Sequence, residues 1–212
     1  MSLGSFRKIL VLAPHTDDGE LGCGGTIAKA ISNGSEVFYI AFSSADRSLP
    51  KKYPRGILKK ELMMATKILG IPSGNVRCLD YEVRNFSTHR QSILDDLHKI
   101  HKEIDPDIVF TPSLNDLHQD HKTLAEESRR IFKRTTMLGY EMPWNNISFD
   151  TFAFSVLTRT QLEKKIKALK CYNSQRHKEY FEVNFIESLA ITRGVQINSK
   201  YAEAFEVIRW IL

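Results

Sequence analysis

The sequence predicts an α/β protein with a mainly parallel sheet and helices on both faces, and three observations carry that prediction. Short apolar, β-branched runs such as Ile9-Leu10-Val11-Leu12-Ala13 and Ile108-Val109-Phe110-Thr111 read as strands buried on both sides. Between the runs, apolar residues recur three and four apart, as on one face of a helix. The two patterns alternate along the chain, which means βαβ units, with antiparallel edge strands expected near the C-terminus.

Taken in order, Lys8 to Ala13 is the first strand. Glu20 to about Asn33 is the first helix, closed by Asn33-Gly34. Val37 to Phe42 is the second strand, and a polar loop from Ser43 to Pro54 has the length of a lid or site wall. A helix spans Ile57 to Leu69 and stops at Gly70, and a short strand follows at Val76 to Leu79. Thr88-His89-Arg90-Gln91 has the form of a capping box and opens a third helix that ends before Asp105-Pro106. Asp107 to Thr111 is the fourth strand, Lys122 to Arg134 the fourth helix, and Met137 to Met142 the fifth strand. Phe152 to Leu157 is a further strand, and Thr158 or Thr160 caps a helix running to Tyr172. A long helix from Glu179 to Thr192 and a closing strand from Ala204 to Trp210 complete the chain.

Composition bounds what such a protein does. With 212 residues, 42% hydrophobic and 26% charged, the chain is expected to form one domain over 1–212 with a full core. Met1-Ser2-Leu3-Gly4-Ser5 reads as disordered or as part of an expression scar. No apolar run approaches the roughly 18 residues of a membrane span, and no signal peptide is visible. The three scattered cysteines, Cys23, Cys78 and Cys171, point to a reduced cytoplasm. Net charge is +5, and seven Lys or Arg against one acid lie between Arg159 and Lys178. The plain reading is a solvated helix face; the sharper one is a landing surface for an anionic small molecule or lipid headgroup. Nucleic acid is not expected, since no binding motif accompanies the charge. Self-association as a homo-oligomer is left open.

The chemistry concentrates in two turns that follow strands. Pro14-His15-Thr16-Asp17-Asp18-Gly19-Glu20 follows the first strand, and Asn115-Asp116-Leu117-His118-Gln119-Asp120-His121 follows the fourth. In open α/β sheets, ligands bind at the carboxyl ends of strands. So much negative charge beside an imidazole calls for a cation, and a divalent metal is the simplest. His15, Asp18 and one of His118 or His121 would supply three ligands and leave a fourth position for water, the arrangement of a catalytic zinc. Asp17 is left free to handle protons. Glycines 22, 24 and 25 allow close backbone approach, and the amides beside them are expected to favour an anionic ligand. Asp116 reads as a loop-structuring Asx residue, His89, His98, His101 and His177 as solvated or capping, and Cys23 as core.

His15-Thr16-Asp17-Asp18 together with His118-Gln119-Asp120-His121 resembles the PIG-L/LmbE-like zinc deacetylases, whose signatures are Pro/Ala-His-x-Asp-Asp and a later His-x-Asp-His. The similarity extends through Glu20 to Thr26, Glu61 to Gly70 and Tyr201-Ala202-Glu203. It implies a Rossmann-like three-layer fold and removal of an acetyl group from an amino-sugar conjugate of the N-acetylglucosamine type. It implies zinc, with iron(II) an alternative in the same site, bound by His15, Asp18 and His121, with Asp17 as general base. His118 is implied to stabilise the oxyanion or protonate the leaving amine, with Asp120 orienting it. Where the family often carries Arg three residues before Glu61, this chain has Leu58, which makes Arg47 and Arg55 candidates for a substrate contact. Trp144 is a candidate for stacking on a sugar ring. The competing readings are a nucleotide- or sugar-nucleotide-binding protein, an iron oxygenase with a two-His, one-carboxylate site, and a non-catalytic metal-binding relative. The glycines read Gly19-x-x-Gly22-x-Gly24-Gly25 rather than G-x-G-x-x-G, which weighs against the first.

Overall fold

A computed structural model describes residues 6–212; the expectation for residues 1–5 falls outside the described residues. Seven strands form one sheet: β1 (Lys8–Ala13), β2 (Glu36–Ala41), β3 (Val76–Cys78), β4 (Ile108–Pro112), β5 (Thr136–Tyr140), β6 (Ala153–Val156) and β7 (Ala202–Arg209). Their order across the sheet is β3-β2-β1-β4-β5-β7-β6. β3, β2, β1, β4 and β5 are parallel, and β7 runs antiparallel to both β5 and β6. The helices are α1 (Asp18–Ser32), α2 (Ile57–Leu69), α3 (Arg90–Ile104), α4 (Gln119–Ile131), α5 (Arg159–Leu169) and α6 (Val183–Val195).

Alternation along the strands builds the three layers. Ile9, Val11 and Ala13 of β1 pack with α1, α2, α5 and α6, while Leu10 and Leu12 meet α3 and α4 on the other face. From β1 the chain winds out through β2 to β3 and then returns to β4 on the opposite side of β1. β1 and β4 therefore flank the point where the winding reverses, and both site turns leave from there.

Several element ends differ from the sequence reading. The capping box expected at Thr88 is absent: the Thr88 hydroxyl bonds back to Asn85, and α3 follows a short 3-10 turn at Phe86–His89. The box at Thr158 does form with Gln161. α4 starts three residues earlier than expected because the His118 imidazole accepts the Asp120 amide and caps it. α6 starts later, because Glu179–Phe181 is a 3-10 turn and Glu182 is extended.

Candidate active site

Two turns converge at the carboxyl ends of β1 and β4. His15, Asp18 and His121 point one atom each at a common centre. His15 Nδ1 lies 3.1 Å from Asp18 Oδ2, Asp18 Oδ2 lies 3.2 Å from His121 Nε2, and His121 Nε2 lies 3.3 Å from His15 Nδ1. Tetrahedral zinc with ligand distances of roughly 2.0–2.1 Å requires ligand–ligand edges of about 3.3–3.4 Å. The triangle has that size, so these donors fit a divalent metal and leave one tetrahedral position open. His118 contributes a ring nitrogen within 4.8 Å of those of His15 and His121, at the edge of the same centre.

The outer nitrogens of both imidazoles are held by buried carboxylates. His15 Nε2 is 3.0 Å from Asp120 Oδ2, and His121 Nδ1 is 2.7 Å from Asp116 Oδ2. A carboxylate on the outer N–H turns the inner lone pair toward the metal. Asp120 is fixed in turn by the amides of Arg84 at 2.6 Å and Phe86 at 3.2 Å. The Asp120 carboxylate thus orients His15, whereas sequence reasoning attached it to His118; only its backbone amide reaches His118. Asp116 is more than an Asx turn, since one oxygen takes the His118 amide while the other holds His121.

The electrostatics of the cluster follow from burial and crowding. Burial disfavours charge on His121, but Asp18 and Asp116 overcome it and raise its pKa to about 10. His15 is raised by the same contest, in which Asp18 and Asp120 outweigh burial. Burial pushes Asp18 up, yet the two imidazoles hold it well below the usual carboxylate range. For Asp17, burial and then the neighbouring Asp18 raise the pKa, against the smaller pull of Lys178 and His15. His118 falls to about 4, through burial first and then the positive His121 and His15.

The pocket around this centre is walled by Leu21, Ala45, Ser48, Leu58, Arg84, Trp144, Gln175, Lys178 and Tyr180, together with Asp17 and His118. Of the substrate contacts expected from sequence, Trp144 is present, although one face of its ring is covered by Tyr180 at 4.0 Å and 9°. Arg47 and Arg55 are not in the wall: they line a neighbouring depression, where Arg47 pairs with Glu82. The cations that do line the site are Arg84 and Lys178. Arg84 has a left-handed backbone, φ 69°, unusual for a residue with a side chain. Gln175 is brought in from the connection after α5 by buried Glu61 on α2, whose carboxylate takes the Ser174 amide at 3.0 Å and its hydroxyl at 2.5 Å. Lys178 and Tyr180 follow on the same connection. Lys178 closes the basic stretch that the sequence marks, whereas no local sequence signal marks Gln175 or Tyr180.

The basic stretch from Arg159 to Lys178 is not one solvated face. Arg159 pairs with Glu163 and Glu187, Lys165 is buried against Glu203, and Lys178 faces the site. The glycine-flanked amides in α1 do not serve a ligand either: those of Gly25 and Thr26 are taken by Glu203.

A doubly wound sheet with a two-His, one-Asp donor triangle and a further carboxylate at its reversal point defines an α/β protein with a candidate metal centre. The family model described as PIG-L, GlcNAc-PI de-N-acetylase, matches residues 10–132, and the chain belongs to that family. It is 29% identical over 186 residues to a protein of Escherichia coli K12 named uncharacterized deacetylase YaiS, covering 82% of this chain and 95% of that one. Among solved structures it resembles the N,N'-diacetylchitobiose deacetylase of Pyrococcus horikoshii, with TM-score 0.78 and 24% identity over 96% of this chain and 84% of that one. It also resembles the 4-carboxy-2-hydroxymuconate hydratase GalB of Pseudomonas putida KT2440, with TM-score 0.79 and 19% identity over 97% and 98% of the two chains. The fold therefore hosts more than one chemistry, and family membership is what makes the chain a deacetylase-type, amide-hydrolysing protein. No helix among the described residues is long and apolar enough to cross a membrane.

Proposed function

We propose that the chain is a zinc-dependent N-deacetylase acting on an anionic conjugate of an N-acetylglucosamine-type amino sugar. The observation that carries the reading is the donor triangle of His15, Asp18 and His121 at tetrahedral spacing, with Asp17 beside it and uncommitted. A zinc ion held there supplies Lewis acidity, polarising the amide carbonyl and bringing the pKa of a water toward about 7.

The chain's own groups handle the protons. Asp17, raised by burial, is the better base for it and accepts a proton from the attacking water. The water oxygen bonds to the acyl carbon, the C–N bond breaks, acetate leaves with that oxygen, and Asp17 returns the proton to the departing amine. His118 accepts the Asp120 amide on Nδ1 at 3.2 Å, so in its neutral form Nε2 carries the hydrogen. With its pKa near 4 it suits donation of a hydrogen bond to the developing oxyanion rather than proton transfer to the amine. Arg84 and Lys178 support an anionic group beyond the sugar, and the three free cysteines support a reducing, cytoplasmic setting.

The test is acetate release from a panel of neutral and phosphorylated N-acetylglucosamine derivatives, on protein of measured metal content, with and without chelator. Chelator-sensitive release that returns with zinc, fastest on the phosphorylated members, is expected. No release from zinc-loaded protein contradicts the reaction, and a preference for neutral derivatives contradicts the anionic conjugate.

A further inference from the structure

We propose that Lys165 of α5 and Glu203 of β7 form a clamp that positions the metal-binding turn across a break in α1. The inference rests on the roles assigned above to Asp17 and Asp18. Inside α1, Cys23 has φ −142° and ψ 23°, which is not helical, so the element is two helical pieces in series. At such a break, carbonyls ending the first piece and amides opening the second lose their helical partners.

One buried ion pair answers both. Lys165 Nζ donates to the Leu21 carbonyl at 2.7 Å, on the first piece. Glu203 accepts the Gly25 amide at 3.0 Å, the Thr26 amide at 2.7 Å and the Thr26 hydroxyl at 2.6 Å, on the second. The two side chains meet at 2.7 Å, with only 5% of Lys165 and 6% of Glu203 exposed. A Cβ at Gly24 would lie 3.0 Å from Lys165 Cγ, so the glycine makes room for the lysine stem.

The first piece is the functional one. The Leu21 amide donates to the Asp17 carbonyl at 3.0 Å, and Leu21 also walls the pocket. At the other end of the turn, the Thr16 carbonyl accepts from Tyr39 at 2.9 Å and Tyr172 at 2.7 Å. The turn carrying Asp17 and Asp18 is thus pinned at its start by two tyrosines and at its end by Lys165. A buried ion pair adds little net stability over apolar replacements of similar volume, so what it contributes here is geometry. Misplacing reacting groups by about 1 Å lowers rate on the order of 100-fold.

The test compares wild type with Lys165→Met/Glu203→Gln, which removes both charges and strands neither, and with Thr26→Val, which removes one bond to Glu203. The readouts are the visible spectrum of the cobalt(II)-loaded proteins, zinc affinity by chelator competition, and kcat and KM for acetate release from the best N-acetylglucosamine derivative. For the double variant the expected result is near-wild-type circular dichroism and KM within about twofold. Its kcat falls on the order of 100-fold, its zinc affinity about 10–100-fold, and its cobalt bands shift. Thr26→Val shows smaller changes in the same direction and decides the matter if the double variant does not fold. Wild-type kcat, affinity and cobalt spectrum in a folded variant would overturn the clamp. A wild-type protein that binds no cobalt or zinc would overturn the metal reading itself, and the clamp with it.

Discussion

Asp17 and Asp18 are neighbours in sequence whose surroundings drive them in opposite directions. Asp18 faces two imidazoles and stays ionised, whereas burial and the adjacent Asp18 charge outweigh the pull of Lys178 and His15 on Asp17, which holds its proton more tightly. Carboxylates separated in this way divide into ligand and base. Asp17→Asn is therefore expected to bind zinc as wild type does while kcat falls about 10²–10⁴-fold; metal analysis beside single-turnover acetate release checks both halves. Asp116→Ala frees the outer nitrogen of His121 and is expected to weaken zinc binding about 10–100-fold, read by chelator competition. The pH behaviour of metal uptake has a definite sign. With a pKa near 10, His121 is protonated at pH 7 in the metal-free chain, and a metal needs the neutral imidazole. Zinc uptake at pH 7 should release protons, and affinity should rise with pH until it passes about 10; calorimetry showing no dependence on buffer ionisation enthalpy would contradict this. The convergence of the donors was legible in part: two His- and Asp-rich turns after apolar strands pointed to it, while the choice of His121 over His118 rested on the family resemblance. Asp116 was only half legible: its Asx turn is local, but its bond to His121 depends on α4 beginning at Gln119.

At the scale of elements, α1 shows how glycine spacing can mislead. The cluster suggested a cradle of free amides for a ligand, yet a Cβ at Gly22 would lie 2.3 Å from the buried Tyr140 ring, and one at Gly19 2.5 Å from Tyr39. These glycines let the helix sit on aromatic side chains of β5 and β2. Gly22→Ala is expected to destabilise the fold by about 1–3 kcal/mol, through overpacking, measurable by denaturant unfolding. Arg84 presents the opposite case. Its left-handed backbone delivers an amide to Asp120 while its side chain reaches the pocket wall. Arg84→Gly should keep the amide and relax about 1–2 kcal/mol of backbone strain, yet raise KM for phosphorylated derivatives more than for neutral ones. Helix and strand cores followed from periodicity. Ends failed where a side chain elsewhere decided them, as at Thr88, whose hydroxyl turns back to Asn85, and at Glu179–Phe181, which breaks away from α6.

For the whole molecule, the doubly wound topology turns two distant motifs into one centre, because β1 and β4 are neighbours across the reversal point. That much could be read from where the His- and Asp-rich turns follow apolar strands. The walls could be read only in part, at Trp144 and in the basic stretch ending at Lys178, because Gln175, Lys178 and Tyr180 ride on a connection pinned by Glu61, more than a hundred residues earlier in the chain. The antiparallel edge near the C-terminus was expected and is present, but the insertion of β7 between β5 and β6 was hidden, since strand order leaves no mark in the strands' own composition. On the proposed reading, one metal ion held by His15, Asp18 and His121 makes this chain an N-deacetylase. The most direct test of that reading is a zinc titration of metal-free protein followed by acetate release from the best N-acetylglucosamine derivative. Activity is expected to rise from near zero to a break at one zinc per chain. Full activity without metal, or none at one equivalent of bound zinc, would contradict it.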